Sequence, residues 1–506
     1  MQINSSPRGV SLYPYQETAL EKIFGHLNSD AANGRFLFQL PTGGGKTVIF
    51  SEIARRYLTA TSKKVMILTH RVELCRQTSA TLKKLGIKNR VIDSTVKHID
   101  VKDNNACYVA MVETLNNRIE TGDINLAGIG LLIIDEAHHN AFKKLLDKFS
   151  AAATIGVTAT PLSSDYTAPL KDHYQGLIMG ESIEALIANG FLAKPANWRY
   201  DVELNSLQTG AHGDFTVSTS DELYSSPAML QLLQHAYEAH AKGKKTLIFN
   251  NGIVTSKNVC DFFSAAGYPA RHLDNQTPAA ERAEILLWFK KTKRAILSSV
   301  SILTTGFDEP TIQAVILNRA TTSLTLYHQM IGRGSRRLPQ KKTFTIIDLG
   351  NNTERFGEWQ APVDWQQIFD HPDAYHAMLT ANGINQTHSL PTGIRSKFPN
   401  SLEIAFDVQE AYHLAQEQGR KPKMIIRDSL RQHVMMCVDN AGTVGEALEL
   451  IEELDKEIIW RIRQYAKCVG HLTANYKEWL IGDYKSKLTI LVKKMMQRKE
   501  MRRLAS

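Results

Sequence analysis

The stretch FLFQLPTGGGKT, residues 36–47, decides the fold of this chain. An apolar run of strand length leads into the consecutive glycines Gly43 to Gly45, and a segment of helical character begins at Thr47. Glycine permits the tight turn that lets successive backbone N–H groups point into one concave loop at a helix N-terminus. This order of strand, glycine-rich loop and helix predicts the phosphate-binding loop of an α/β domain.

Two side chains at the end of this loop carry its chemistry. Lys46 is placed to reach the β- and γ-phosphates of a nucleotide, and the Thr47 hydroxyl is placed to ligate Mg²⁺. The strict motif has glycine where this chain has Leu40, and a purely structural turn is the alternative interpretation. We expect ATP and Mg²⁺ as ligands, with nucleotide contacts from Pro41, Thr42, Gly43, Gly44, Gly45, Lys46 and Thr47.

A second motif follows the apolar run LLII at residues 131–134. Asp135 and Glu136 come next, at the carboxyl end of a predicted strand, where α/β sheets bind their ligands. Asp135 is placed to hold Mg²⁺ through water, and Glu136 to orient and deprotonate an attacking water. Adjacent carboxylates can also form a solvated turn, but after a phosphate loop we interpret them as part of an ATPase site.

Short apolar runs alternate with amphipathic segments from Phe36 to about Pro195. The same rhythm restarts at KTLIFNN, residues 245–251, and ends with FTIIDLG, residues 344–350. Buried strands that alternate with helices are typical of parallel sheets covered on both faces. The chain is therefore predicted to be α/β, with tandem domains at 1–195 and 229–357, a linker or small hairpin at 196–228, and a helical accessory domain at 358–506.

Beyond about Gly357 the strand signal fades, and apolar residues recur at helical spacing within segments 401–418, 423–437, 443–468 and 474–503. The last segment, 484–506, sets an apolar stripe against many lysines and arginines. It predicts a helix that docks through the stripe and contacts phosphates through its basic face, with a solvated cationic face as the alternative. The predicted stripe consists of Leu488, Leu491, Val492, Met495 and Met496.

Composition limits the broad class of the protein. The 506 residues are 43% hydrophobic and 22% charged, which is typical of a soluble globular protein with several domains. The formal net charge of +9 mildly favours a polyanionic partner. Widely spaced cysteines indicate reduced thiols, and residues 1–20 lack a signal pattern. No run approaches the roughly 18 apolar residues that span a bilayer. We therefore expect no membrane association and a cytoplasmic location.

Ordered motifs from about Tyr13 to Gly357 resemble those of a superfamily 2 helicase of the DEAH type. The resemblance implies RecA-like domains that close on ATP, with nucleic acid lying across both. The matching segments are Tyr15-Gln16, the phosphate loop, Thr69-His70-Arg71, Thr114-Leu115, Asp135-Glu136-Ala137-His138, Thr158-Ala159-Thr160-Pro161, LTTGFD (303–308) and QMIGRGSR (329–336).

The same resemblance implies roles for individual residues. Gln16 is expected to read adenine, and Gly306 and Asp308 to contact the nucleotide. The nucleic-acid contacts are expected from His70, Arg71, Thr114, Thr304 and Thr305, and the coupling of hydrolysis to movement from His138, Thr158, Thr160 and Gln329.

Arg333 and Arg336 have a physical interpretation of their own. Hydrolysis develops charge on the γ-phosphate, and a rigid guanidinium in a closing cleft can stabilise that charge. We therefore predict both as arginine fingers, with surface arginines paired to nearby acids as the alternative.

Within the superfamily, SLTLYHQMIGRGSRRLP, residues 323–339, resembles the RadD-like branch, relatives of the XPB repair translocases. Members of that branch resemble zinc proteins in their C-terminal half. Residues 358–506 here contain only Cys437 and Cys468, which are too few and too far apart for a zinc knuckle, so no zinc is expected. The branch also makes DNA the expected nucleic acid.

The sequence therefore predicts an ATP-dependent DNA helicase or translocase. Two alternatives stay open at this point. One is a translocase or remodeller that moves on duplex without separating strands, and the other is a nucleic-acid-binding protein that uses ATP as a switch.

Overall fold

The computed structural model describes most of the chain in three units. The described residues are 11–28, 34–96, 105–121, 128–163, 168–209, 214–304, 306–375, 394–401, 404, 406, 408, 411–412, 415, 421–470 and 472–504.

The first unit is a parallel sheet with helices on both faces. Its strands are β1 (Arg35–Gln39), β2 (Lys64–Thr69), β3 (Asn89–Ile92), β4 (Cys107–Met111), β5 (Ile129–Asp135), β6 (Ala153–Thr158) and β7 (Gly176–Met179). Its helices are α1 (Pro14–Leu27), α2 (Lys46–Ala60), α3 (Val72–Lys84), α4 (Val112–Glu120), α5 (Lys143–Leu146) and α6 (Ile183–Ala188).

The strand order of this sheet is β3-β4-β2-β5-β6-β1-β7, and all pairings are parallel. Apolar clusters cover both faces, which explains why the central strands are continuous apolar runs. The phosphate loop follows β1 and the acidic motif follows β5, so both lie at the carboxyl edge of one sheet. That edge is where open α/β sheets bind ligands.

The second unit repeats this design. Its strands are β8 (Lys194–Arg199), β9 (Thr246–Asn250), β10 (Ala270–Leu273), β11 (Ile296–Ser299), β12 (Ala314–Asn318) and β13 (Thr343–Asp348), in the parallel order β10-β11-β9-β12-β13-β8. Its helices are α7 (Val217–Tyr224), α8 (Pro227–His240), α9 (Ile253–Ala265), α10 (Ala279–Lys291), α11 (Leu324–Gly332), α12 (Asn352–Phe356) and α13 (Trp365–Asp370). The predicted pair of RecA-like domains is confirmed.

The segment 196–228, predicted as a linker or small hairpin, instead belongs to the second domain. Residues 194–199 form its edge strand β8, paired with β13. The following polar stretch anchors itself through scattered apolar side chains, including Val202, Leu204 and Phe215, which are buried in the domain core. Helix α7 packs in the same core, so the domain begins near Lys194.

The third unit is helical and has its own apolar core. Its helices are α14 (Ile394–Lys397), α15 (Lys423–Asn440), α16 (Val444–Glu453), α17 (Asp455–Val469) and α18 (Ala474–Leu504). The long α18 packs against α15, α16 and α17. No described helix is both long and apolar enough to cross a bilayer.

The apolar stripe predicted in 484–506 docks α18 onto this core. Leu488, Val492 and Met496 are fully buried and Met495 is partly buried, whereas Leu491 stays exposed. Tyr484 and Leu480 extend the buried line by further turns toward the helix start. The stripe is thus a structural element of the third domain.

Candidate active site and nucleic-acid interface

The phosphate loop is held in shape by the start of α1. Gly43 and Gly45 have φ angles of 90° and 85°, in the left-handed region that favours glycine. A Cβ atom on Gly45 would lie 2.7 Å from the side-chain nitrogen of Gln16. The Tyr15 hydroxyl donates a hydrogen bond of 2.8 Å to the Gly44 carbonyl. Gln16, predicted to read adenine, therefore lies directly beside the loop.

Lys46, Asp135 and Glu136 form one electrostatic cluster. Burial lowers the pKa of the Lys46 ammonium, while the nearby charges of Glu136 and Asp135 oppose that shift. Burial and the adjacent Glu136 raise the pKa of Asp135, and Lys46 opposes the rise. Burial also disfavours charge on Glu136, but Lys46 and other neighbouring cations outweigh it and lower its pKa. An ionised carboxylate beside a buried ammonium is suited to orient water at a phosphoryl group.

Glu136 is held in a strained position with an unused oxygen. Its φ of 53° is uncommon for a residue with a side chain. Its Oε2 atom is buried and has no hydrogen-bond partner among the described residues. A buried, unpaired carboxylate oxygen next to Lys46 and Asp135 fits a site that receives Mg²⁺ and an attacking water. Thr47, half-buried in the first turn of α2, completes the predicted donor set for the ion.

A chain of short polar side chains leads away from Glu136. His138 Nδ1 lies 3.5 Å from Glu136 Oε2 and 3.0 Å from the Thr158 hydroxyl. The Thr158 hydroxyl donates to the Thr160 carbonyl at 2.9 Å. Burial lowers the pKa of His138 to about 3, so the ring is neutral. Three of the four residues predicted for coupling, His138, Thr158 and Thr160, thus form one connected path in the first domain.

Helix α11 of the second domain meets this path from across the cleft. The Gln329 side-chain nitrogen lies 3.3 Å from His138 Nε2. The Thr160 hydroxyl donates to the Thr325 hydroxyl at 3.0 Å. A Cβ atom on Gly332 would lie 2.5 Å from the side chain of Thr42 in the phosphate loop. The two domains are therefore closed on each other at the nucleotide side.

Arg333 points from α11 into the same cleft. Its guanidinium donates to the carbonyls of Phe307 at 2.6 Å and Thr304 at 2.5 Å, and its Nε atom is buried without a partner. Burial lowers the pKa of Arg333 to about 10, with Glu136 opposing the shift. A partly buried cation with a free N–H donor at Nε, close enough to Glu136 for their charges to interact, has the properties expected of an arginine finger.

Arg336 differs from Arg333. Its Nε atom lies 2.9 Å from Asp308 Oδ1, and both side chains are about half exposed. This is the alternative pairing of a surface arginine with a nearby acid. Asp308, which was predicted to contact the nucleotide, therefore forms an ion pair with Arg336 in this conformation.

One predicted strand-contacting residue, Arg71, lines a cavity to which both domains contribute residues. This cavity has a volume of about 650 Å³, and Arg71 and Gly306 both line it. Gly306 thus faces this cavity, although it was predicted to contact the nucleotide. Arg71 also donates to the Ile302 carbonyl at 2.8 Å, which joins the two domains. The cavity is large enough to take part of a polymer backbone.

The other residues predicted to contact the nucleic-acid strand lie in different environments. The His70 ring lies against His139 in a tilted arrangement, with ring centroids 4.5 Å apart, and both of its ring nitrogens are buried without a hydrogen-bond partner among the described residues. Thr114 is half-buried in the first turn of α4, and the buried Thr304 presents its carbonyl to Arg333. Thr305 lies outside the described residues.

Sequence reasoning missed several residues at the domain junction. Arg282 on α10 lies 3.7 Å from Glu73 on α3, and both line the 650 Å³ cavity. Gln77 donates to the Gly306 carbonyl at 2.8 Å. Thr325 could have been found from the sequence, because it lies one helical turn before the predicted coupling residue Gln329. Arg282, Glu73 and Gln77 could not, since their partners are distant in sequence.

Two family models match this architecture. The model described as the res subunit of type III restriction enzymes matches residues 9–163. The model for the conserved C-terminal domain of helicases matches residues 228–337. The two matches fall on the two RecA-like domains, so the chain is similar to superfamily 2 helicases in both. The RadD-like and XPB-like branch stays a prediction.

Known proteins extend this similarity. The Saccharomyces cerevisiae protein "Putative ATP-dependent helicase IRC3" is 31% identical over 360 residues, which are 67% of this chain and 51% of that protein. The chain therefore spans about half the length of this relative.

Solved structures share the fold. One is "the fragment structure of a putative HsdR subunit of a type I restriction enzyme from Vibrio vulnificus YJ016", with a TM-score of 0.56, 21% identity, and coverage of 70% of this chain and 67% of that chain. The ATP-dependent type ISP restriction-modification enzyme LlaBIII bound to DNA matches with a TM-score of 0.50 and 16% identity, over 95% of this chain and 40% of that chain. At these identities the likeness concerns the fold alone.

Proposed function

We propose that the chain is an ATP-dependent motor that couples ATP hydrolysis to movement on nucleic acid, with DNA as its track. The position of Arg333 carries this proposal. Its guanidinium belongs to the second RecA-like domain, yet it lies partly buried in the cleft near Glu136 and Arg71 of the first. A cation that one domain delivers to the phosphate loop of the other makes hydrolysis depend on closure.

The side chains divide the chemistry among themselves. ATP provides the phosphoanhydride bond, and bound Mg²⁺ would neutralise phosphate charge from Thr47 and Asp135. Lys46 stabilises charge on the transferring phosphoryl group. Glu136 orients the attacking water and accepts its proton, and its conformation is fixed by the turn after β5. Arg333 adds positive charge when the cleft is closed.

The nucleic-acid side of the proposal rests on the 650 Å³ cavity between the domains. Arg71 and Arg282 reach its walls from different domains. Arginines bind backbone phosphates in any sequence, which a motor requires. Opening and closing would change their spacing and so move one strand stepwise. DNA is favoured because LlaBIII, which shares the fold, was solved bound to DNA.

Steady-state ATP hydrolysis, measured with and without DNA or RNA, tests the proposal. DNA should stimulate the parent protein, and Lys46→Ala should lose at least about a hundredfold in rate while it keeps much of its DNA binding. Lys83→Ala is the matched control, because Lys83 is an exposed lysine on α3 of the same domain. Turnover near the parent level in Lys46→Ala would contradict the ATPase assignment.

A strand-displacement assay separates the alternatives within this class. A helicase releases the displaced strand, whereas a duplex translocase hydrolyses ATP on DNA without releasing it. An ATP switch would bind DNA in a nucleotide-dependent manner but show no stimulated turnover.

A further inference from the structure

The third domain has a pair of aromatic rings that the described residues leave about half exposed. Tyr476 and Trp479 are 46% and 58% exposed, and they lie one helical turn apart at the start of α18. Their ring centroids are 5.4 Å apart with an interplanar angle of 24°, so the rings stack on each other. Among the described residues, this is the only stacked pair in which both large side chains are exposed.

A single exposed aromatic residue needs no explanation, because much of any protein surface is apolar. Two stacked rings are different, since together they present a preorganised flat surface to solvent. Apolar burial explains the rest of this helix, where Leu480, Tyr484 and Leu488 enter the domain core. The first turn of α18 therefore carries aromatic residues that the fold itself does not use.

Basic side chains lie at the same end of the third domain as the pair. Helices α17 and α18 follow each other in the chain and pack together, and Arg463 and Lys467 lie on exposed positions in the last two turns of α17. Lys477 lies between the two rings in sequence. None of these cations forms an ion pair with a described acidic side chain, whereas Lys485 and Lys487 farther along α18 are paired with Asp455 and Asp483. At 1.5 Å of rise per residue, these cations and rings lie within about 10 Å, along the helix axes, of the C-terminal end of α17 or the N-terminal end of α18.

We propose that Tyr476 and Trp479 form a stacking surface for an unpaired base of the nucleic acid, with Arg463, Lys467 and Lys477 neutralising adjacent phosphates. This inference rests on the proposed function and extends it to a second nucleic-acid contact, outside the two RecA-like domains. Aromatic rings stack on any base, and exposed cations attract any phosphate backbone. The combination selects single-stranded over duplex nucleic acid without selecting a sequence.

The test uses the full chain and a fluorescently labelled oligothymidine, with binding followed by anisotropy. The double variant Tyr476→Ala, Trp479→Ala should bind about tenfold more weakly or worse, because stacking on one base typically accounts for that factor. The slope of log affinity against log salt should stay the same, since no cation is removed. Replacing both rings by Phe should keep most of the affinity.

Two controls make the test specific. Ile490→Ala removes another exposed apolar side chain, 64% exposed on the same helix, and should leave binding unchanged. An abasic oligonucleotide of equal length keeps the phosphates but removes the bases, so the parent and the double variant should bind it equally. ATP hydrolysis without nucleic acid should be the same in all variants.

Oligothymidine binding by the double variant at the parent level would overturn the stacking surface and assign the rings to a protein contact. An equal loss toward the abasic backbone, or the same loss in Ile490→Ala, would also overturn it. Failure of the parent protein to bind any oligonucleotide would instead refute the proposed function itself.

Discussion

Substitution of Gly332 by alanine should impair domain closure without changing the fold of either domain. Gly332 ends α11 and faces Thr42 of the phosphate loop across the cleft. A Cβ atom there would lie 2.5 Å from Cβ and Cγ2 of Thr42, closer than real Cβ atoms approach any neighbour. Gly332 does not have a positive φ, so its backbone conformation is compatible with alanine. In a helix, alanine is more stable than glycine by about 1 kcal/mol.

The clash exists only when the two domains are closed. Overpacking by one methyl group typically costs about 1–3 kcal/mol, which here falls on the closed state alone. The closure constant should therefore fall by about five- to 150-fold, and the catalytic rate at saturating ATP and DNA should fall with it. The melting temperature of the protein should be unchanged or slightly raised.

Steady-state hydrolysis at saturating ATP and DNA is the measurement. Gly25→Ala and Gly482→Ala are matched controls, because both lie within helices and an added Cβ would meet nothing within 4 Å. Thr42→Gly in the Gly332→Ala background should restore part of the rate, as a double-mutant cycle would reveal. A catalytic rate equal to that of the parent would refute the closed arrangement of α11 and the phosphate loop.

Three further predictions concern other parts of the molecule. Glu136→Gln keeps the shape of the side chain but cannot accept a proton, so single-turnover hydrolysis should slow by about a hundredfold or more. The ATP-bound variant should also dissociate slowly from DNA. Rapid dissociation in the presence of ATP would contradict the role of Glu136 as the base. Arg461→Leu should lower the free energy of unfolding by about 3–5 kcal/mol in urea denaturation, because it removes the buried guanidinium that is paired with the Glu457 carboxylate, and Glu457→Leu in the same background should recover much of the loss. Changing the exposed Lys493, Lys494 and Arg498 of α18 to Gln should weaken DNA binding and reduce its salt dependence. An unchanged slope of log affinity against log salt would indicate that this basic face is only solvated. Truncation would not serve for this last test, since it removes core residues such as Leu488.

The parts of the fold that sequence predicts well are local. The phosphate loop and the acidic motif each combine a strand, a turn and specific side chains within about a dozen residues, so their geometry follows from short-range chemistry. The alternation of apolar runs and helices likewise predicts both sheets, because strands buried on two faces must be apolar throughout.

The segment 196–228 shows where this approach fails. Strand β8, KPANWR, lies at a sheet edge with mostly exposed or half-buried residues, so it lacks the apolar run that marks a central strand. Pro195 near its start is tolerated because an edge strand leaves some backbone N–H groups unpaired. Asn205 and Ser206 suggested a turn, and the structure places a turn there, but neighbouring Leu204 and Leu207 bury it against the domain core.

Contacts across the cleft could not be predicted either. The sequence gives equal reasons to treat Arg333 and Arg336 as arginine fingers, yet only tertiary packing partly buries Arg333 and pairs Arg336 with Asp308. Thr160 and Thr325 are separated by 165 positions, and nothing local to either residue indicates that they meet.

Helix α11 has a consequence for how sequence change can be tolerated here. Thr325, Gln329 and Gly332 occupy positions i, i+4 and i+7, so they fall on one side of the helix, while Tyr327 and Ile331 fill the core of their own domain. Inserting or deleting one residue in the helix would rotate these contacts by about 100° relative to each other. The number of residues in helix α11 therefore fixes the spacing of these interdomain contacts, so insertions and deletions in the helix should not be tolerated.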